Sequence, residues 1–162
     1  VYLYRTMDCW GWGTWRASWS NFEKNTAKLV TKFTREEIHR FNLDGYNHVW
    51  NQVLMNKYKR IDTWAIYWYA SIFKKEGLCL NPVKSFVKNI GHDGSGIHCD
   101  DTFYEDNLTL NRSDHIKFVQ NLHEDENMVG QIKEYFKKKN KHIAVRLINK
   151  LSRMVFGKNL IK

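Results

Sequence analysis

Three stretches of this sequence hold side chains whose types and spacing suit chemistry. The first is Cys9-Trp-Gly-Trp-Gly-Thr-Trp15-Arg16, followed by Trp19. Indole rings set between glycines offer flat apolar faces with one N–H donor each, a combination that stacks on a sugar ring or a base. Trp15 and Trp19, four residues apart, equally fit the core face of a short helix, the ordinary fate of tryptophan. Trp10 and Trp12 alternate with Gly11 and make no helical face, so Trp10, Gly11 and Trp12 are the stronger candidates for substrate contact. The second stretch is Arg60-Ile-Asp-Thr-Trp64. Asp62, just ahead of a strongly apolar segment, holds the position of a helix N-cap. It is also a candidate general base: between Ile61 and Trp64 in a water-poor cleft, its pKa would rise towards a working value. The third is Asn89-Ile-Gly-His-Asp-Gly-Ser-Gly-Ile-His-Cys99. A glycine-rich loop can turn backbone N–H groups towards a phosphate, and two His with an Asp suit a divalent metal. No Gly-Lys-Ser/Thr follows, so this is not a Walker loop, and the His92, His98 and Cys99 spacing fits no structural zinc pattern. An ordinary tight turn is the alternative.

These stretches need elements to hold them. Residues 1–8 alternate loosely and predict a strand, and Ser20 to Val30 reads as loop with a short helix. Thr34-Arg-Glu-Glu37 is a capping-box pattern, predicting a helix from Arg35 to about Phe41, where Asn42 to Gly45 turns the chain. Tyr46 to Tyr58 recovers helical spacing. Thr63 to Glu76 is the clearest helix of the body, with Trp64, Tyr67, Trp68, Ser71 and Ile72 on one face. Gly77 is expected to end it in left-handed conformation. Leu78 to Leu80 and Ser85 to Ile90 read as short strands, and 100–114 as an acidic surface segment. Two basic helices follow, Asn127 to Lys139 and Lys141 to Phe156, stopped by Gly157. The second gathers Ile143, Ala144, Leu147, Ile148, Leu151, Met154 and Val155 on one stripe. The fold class is α/β, helix-rich with a few short strands, divided into a body (1–118) and a basic amphipathic tail (119–162).

Charge divides the chain at the same place. The 162 residues carry a formal +9, yet residues 133–162 hold ten Lys/Arg against Glu134 alone, leaving the first 132 neutral. All seven Trp lie between Trp10 and Trp68. Single-stranded nucleic acid is bound by aromatics interleaved with cations, and here the two are segregated, which disfavours nucleic acid as a partner. No apolar run reaches the roughly 20 residues that span a bilayer. Three cysteines without CxxC spacing read as reduced thiols in a cytosolic setting. The opening has no signal-peptide pattern and reads like the middle of a longer chain.

In order and spacing, Cys9-Trp-Gly-Trp-Gly-Thr-Trp15, Ile61-Asp-Thr-Trp-Ala-Ile66, Gly77-Leu-Cys-Leu-Asn-Pro-Val-Lys-Ser85 and the glycine loop ending His98-Cys99 resemble the C-terminal half of bacterial family 2 glycosyltransferases. Those are GT-A type enzymes, often of surface polysaccharide synthesis. The resemblance covers roughly 1–105. It implies inverting transfer of a sugar from a nucleotide-sugar to an acceptor hydroxyl, with a divalent metal, Mn2+ or Mg2+, on the diphosphate. By comparison with animal N-acetylglucosaminyltransferase I, which has a similar layout, Asp62 is the base, although Thr63 stands where that enzyme has a second Asp. The resemblance further implies that Trp10, Gly11, Trp12 and Trp64 line the substrate site, that Gly94, Ser95 and Gly96 close over the donor, and that His98 is a late ligand to metal or diphosphate. The nucleotide-binding half of the family, with its Asp-x-Asp, has no counterpart here. The expectation is therefore a fragment holding the acceptor side, with little activity alone.

The implied partners are a nucleotide-sugar donor and a saccharide or lipid-linked saccharide acceptor. Residues 133–162 suit an anionic membrane surface, and the same stripe suits packing on a nucleotide-binding half. The expected location is cytoplasmic, peripheral on the inner face of the membrane. The competing reading of the whole chain is a basic membrane-surface or nucleic-acid-binding module without catalysis.

Overall fold

In the computed structural model, the described residues are 1–9, 11–88, 109–113, 115–156 and 160. Local signals account for much of what they form. Thr34 accepts from the Glu37 amide at 3.1 Å while the Glu37 carboxylate accepts from the Thr34 amide at 2.8 Å, closing the capping box that starts one helix. In chain order the elements are β1 (Tyr2–Tyr4), α1 (Arg16–Trp19), α2 (Thr26–Lys32), α3 (Arg35–Phe41), α4 (Trp50–Lys57), α5 (Ala65–Lys74), β2 (Cys79–Asn81) and α6 (Glu126–Phe156). The molecule is helix-rich. Its one sheet among the described residues is the antiparallel pair β1 and β2, with Leu3 opposite Leu80.

The core is built on α5. Ile66, Tyr67, Trp68, Tyr69, Ala70, Ser71 and Phe73 are all buried, so this helix is covered on nearly every side. Phe41, with no solvent exposure, stacks on Tyr69 at 4.0 Å and meets Trp50, Phe33 and Phe73 edge-on at 5.6, 5.5 and 5.3 Å. Aromatic pairs favour such offset and edge-to-face contacts, which orient the rings as well as bury them. The Tyr69 hydroxyl donates to the Phe41 carbonyl at 2.9 Å, which satisfies the one polar atom of that ring.

Several expectations are corrected. The left-handed residue after α5 is Glu76 (φ 54°), and Gly77 follows it. The Glu76 and Gly77 amides donate to the Phe73 and Ile72 carbonyls at 3.0 Å each, a Schellman ending shifted one residue earlier than glycine chemistry suggests. Asp62 caps no helix: α5 follows Trp64, and its entry is held by the buried Asn56 side chain, which bonds the Thr63 amide and hydroxyl at 3.0 and 3.1 Å. Ser85 to Lys88 is irregular and not a strand, with Ser85 Oγ bonding the Val87 amide and carbonyl instead. The rest of that predicted strand, the glycine loop, most of the acidic segment and Gly157 lie outside the described residues.

The two basic helices are one helix, α6, of 31 residues. Nothing in Lys139-Asn-Lys141 breaks it, and Asn140 instead donates its side-chain amide to the Tyr46 carbonyl at 3.0 Å. The first half of α6 is docked on the body. Val129 is buried with Tyr4 and Leu43, beside Ile132, Phe136 and Tyr46. Around this contact, Arg5 pairs with Glu124 at 2.7 Å and Asp44 at 3.0 Å, and Lys133 reaches the other Asp44 oxygen at 2.6 Å.

Partial burial pushes the Asp44 carboxyl up, but its hydrogen bond from Lys133 and the Arg5 charge outweigh this and hold it below the usual carboxylate range. A depressed folded-state pKa adds stability above the ordinary value of about 3.9, and that stability is lost as pH falls through the folded value. Asp44→Asn should therefore cost about 1–2 kcal/mol at neutral pH, as expected for a hydrogen bond between charged groups that solvent partly screens. The gap between parent and variant in denaturant unfolding should begin to narrow below about pH 4 and close only once pH is below the folded-state value.

Candidate functional site

The three sequence stretches meet the structure unevenly. Trp10, Gly94, Ser95, Gly96 and His98 lie outside the described residues. Trp12 and Trp64 are brought together at 5.4 Å between ring centroids. Trp12 also stands 5.9 Å from Trp19 and 6.2 Å from Trp68, and Trp19 stacks on Phe22 at 4.6 Å. Trp64 and Trp68 are one turn apart at the start of α5, and the short helix α1 delivers Trp19 to them. The result is a contiguous aromatic surface that continues outward from the core.

Exposure rises from the core side of that surface outward and is highest at Trp15, which shares the groove but has no ring contact with these residues. Trp68 is 3% exposed, Trp19 38%, Trp64 40% and Trp15 79%. Trp15 and Trp19 are thus not the core face of a helix: Trp15 is the N-cap of α1 and stands in solvent. An exposed indole forgoes most of the burial that ordinarily fixes tryptophan in a core.

Gly11 is placed for two physical reasons. Its φ of 59° is left-handed, and a Cβ there would lie 2.6 Å from Val87 Cγ1. The Val87 side chain therefore packs directly over Gly11, and a side chain at position 11 would both force it to shift and sit on left-handed backbone. Gly13 has open space around it and no such constraint.

Between these parts runs an open groove of about 680 Å3, lined by Trp12, Trp15 and Trp68 with Leu80, Pro82, Phe86 and Val87. Its polar lining comes from Asp8, Ser18, Asn21, Ser71, Lys75, Asn81 and Ser85, mostly neutral hydroxyls and amides. The β2 segment was legible in the sequence only as a strand, and its contribution to this groove comes from pairing with β1. Cys79 also lines the groove, but burial pushes its thiol up to about 11. Burial and then Asp8 raise Cys9 as well. Both stay protonated at neutral pH, and a thiol without its thiolate is a poor nucleophile.

Asp62 does not sit in a water-poor cleft. Its side chain is 83% exposed and pairs with Lys24 at 2.6 Å. Neither Asp62 nor Trp64 lines the groove; Trp64 adjoins it through Trp12. Among the described residues, no three His, Cys, Asp or Glu side chains gather into a metal site, and His98 falls outside that set. The chain matches no family model, no curated protein and no solved structure.

The Gly11 contact yields a test. Gly11→Ala should lower stability by about 1–3 kcal/mol, from left-handed backbone and overpacking against Val87. Val87→Ala in the same chain should recover the overpacking share and leave the backbone share. A double-mutant cycle from urea unfolding should show a coupling of at least 0.5 kcal/mol, the scale expected of residues in contact.

Proposed function

We propose that residues 1–118 are the acceptor-side half of an inverting GT-A type glycosyltransferase and that the Trp-lined groove receives a saccharide acceptor. The observation that supports this most is the groove's lining: flat indole faces beside neutral hydroxyl and amide groups. A sugar ring carries apolar C–H patches that lie on an aromatic face and hydroxyls that both donate and accept, so this lining suits it better than it suits a polyanion. The resemblance to family 2 glycosyltransferases supplies the reaction. Surface polysaccharide synthesis is the corresponding setting, with an acceptor that is free or lipid-linked.

Asp62 lies outside the groove, so in that reading the acceptor must extend past Trp12 and Trp64 to reach it; there Asp62 takes the proton from the acceptor hydroxyl as its oxygen attacks the anomeric carbon. The bond from that carbon to the diphosphate breaks, the nucleoside diphosphate leaves with the electron pair, and the configuration inverts. Asp62 needs desolvation to serve as a base, and no described residue covers it. The surface that would do so belongs, by the resemblance, to the nucleotide-binding half. The same half would hold most ligands of the Mn2+ or Mg2+ ion, with His98 a late addition and Gly94 to Gly96 against the donor. By the resemblance, Trp10 would be a further substrate contact. What this chain supplies is the acceptor platform and the base, so a nucleotide-sugar should be turned over little or not at all by these residues alone.

Titration with di- and trisaccharides of hexoses and N-acetylhexosamines should quench tryptophan fluorescence saturably. Trp15→Ala should weaken that binding on the order of 10-fold, as the loss of one stacking face predicts. Equal affinity in variant and parent would remove the groove from the site. In the enzyme that carries this chain, Asp62→Asn should lower transfer by about 10²–10⁴-fold at unchanged donor affinity, the range for loss of a general base. Transfer retained within a few-fold would leave Asp62 as a surface partner of Lys24.

A further inference from the structure

The outer half of α6 continues, without a break, the face that docks its inner half. Val129, Ile132, Phe136 and Asn140 follow steps of three and four residues, and Leu147, Leu151 and Met154 stay on the same line. The inner residues are packed on the body, with Val129 5% exposed. The outer ones are not: Leu147 is 57%, Leu151 63% and Met154 77% exposed, with Ile148 and Val155 beside them at 41% and 70%. The covered side of this outer half is a different one. It carries Ser152, which is buried, and Asn149, whose side chain accepts from the Leu160 amide at 3.0 Å.

Charge distinguishes the two halves further. Where α6 meets the body its cations have acidic partners, Lys133 on Asp44 at 2.6 Å and Lys137 on Glu134 at 3.3 Å. Residues 135–162 contain nine Lys/Arg and no Asp or Glu. Lys138, Lys139, Lys141 and Lys150 are exposed and form no ion pair with any described residue. By helical spacing, Lys141 flanks the apolar line on one side and Lys150 on the other. A surface that fits this helix must be apolar along a strip and anionic on both sides of it. No helix among the described residues is long and apolar enough to cross a membrane, so the fit is to lying along one.

We propose that α6 from Lys141 to Phe156 binds the surface of an anionic lipid leaflet, the Leu147, Leu151 and Met154 line entering the headgroup boundary and the flanking lysines meeting lipid phosphates. An interfacial helix has this form: an apolar stripe, cations on the polar face and low overall hydrophobicity. The stretch is about 24 Å long at 1.5 Å per residue, enough to present the whole stripe in the plane of the surface. The inner half, fixed by the Arg5, Asp44 and Lys133 contacts, would then hold the body at a set orientation to the leaflet. The inference does not rest on the saccharide reading of the groove.

Vesicle cosedimentation of the chain tests it, with phosphatidylcholine alone and with 30 mol% phosphatidylglycerol. Binding should require the anionic lipid and weaken at least 10-fold between 50 and 500 mM NaCl, because cations near a charged leaflet are screened within a Debye length. Leu151→Glu with Met154→Glu should abolish binding, and Lys141→Glu with Lys150→Glu should weaken it at least 10-fold. All four positions are exposed, and unchanged circular dichroism and melting temperature of the variants will show that they fold. Absence of binding to the anionic vesicles, equal binding to neutral ones, or full binding by the Leu151/Met154 variant would overturn the proposal. A concentration-dependent dimer in sedimentation velocity that the same variant abolishes, with no vesicle binding, would assign the stripe to a second copy instead.

Discussion

The stack of Phe41 on Tyr69 is the contact on which the other features depend. It joins the end of α3 to the middle of α5 at 4.0 Å, and the Tyr69 hydroxyl closes it on the Phe41 carbonyl. Phe33, Trp50 and Phe73 surround the pair, which fixes α4 and the end of α2 against the same helix. With α5 held this way, Trp68 and Ser71 are buried in the helix and still line the groove. A rotation of α5 would move both at once. The groove is therefore shaped by the core and not by loops alone.

Tryptophan serves two purposes in this chain, and exposure separates them. Fully burying a side chain of this size is worth several kcal/mol, since aromatic rings bury roughly 150–250 Å2 at about 25 cal/mol per Å2. Trp50 and Trp68, at 7% and 3% exposure, realise that energy in folding. Trp15, at 79%, leaves most of it unrealised. The gradient between them explains how a single aromatic surface can be both a core boundary and a platform. The buried end is packed into the core, and the open end keeps an apolar face for something else to cover.

The basic helix has the same divided character. Its inner half belongs to the body through a small apolar contact and a charge network in which Asp44 serves both Arg5 and Lys133. Body and tail are therefore continuous in packing although their compositions change abruptly. The formal +9 is not spread over the candidate site. By sequence it lies on residues 133–162, where Lys138, Lys139, Lys141 and Lys150 are exposed and their charge carries little desolvation cost.

Local chemistry was legible in the sequence wherever partners lie close along the chain. The capping box at Thr34 and Glu37, the extent of α3 and the apolar run of α5 all follow from interactions spanning three or four residues. Helix endings were less legible, because Glu76 takes the left-handed position when Ile72 and Phe73 offer carbonyls to its turn, and neighbouring Gly77 makes that invisible to composition. Residue types alone identify the chemistry on offer: indoles between glycines, one acid ahead of an apolar helix, and a cationic amphipathic tail. Where those residues stand follows from packing. It put Val87 against Gly11 and Trp12 against Trp64, across 76 and 52 positions of chain, and it left Asp62 in solvent beside Lys24. Such contacts depend on how several faces are buried together, and no short window of sequence contains that information.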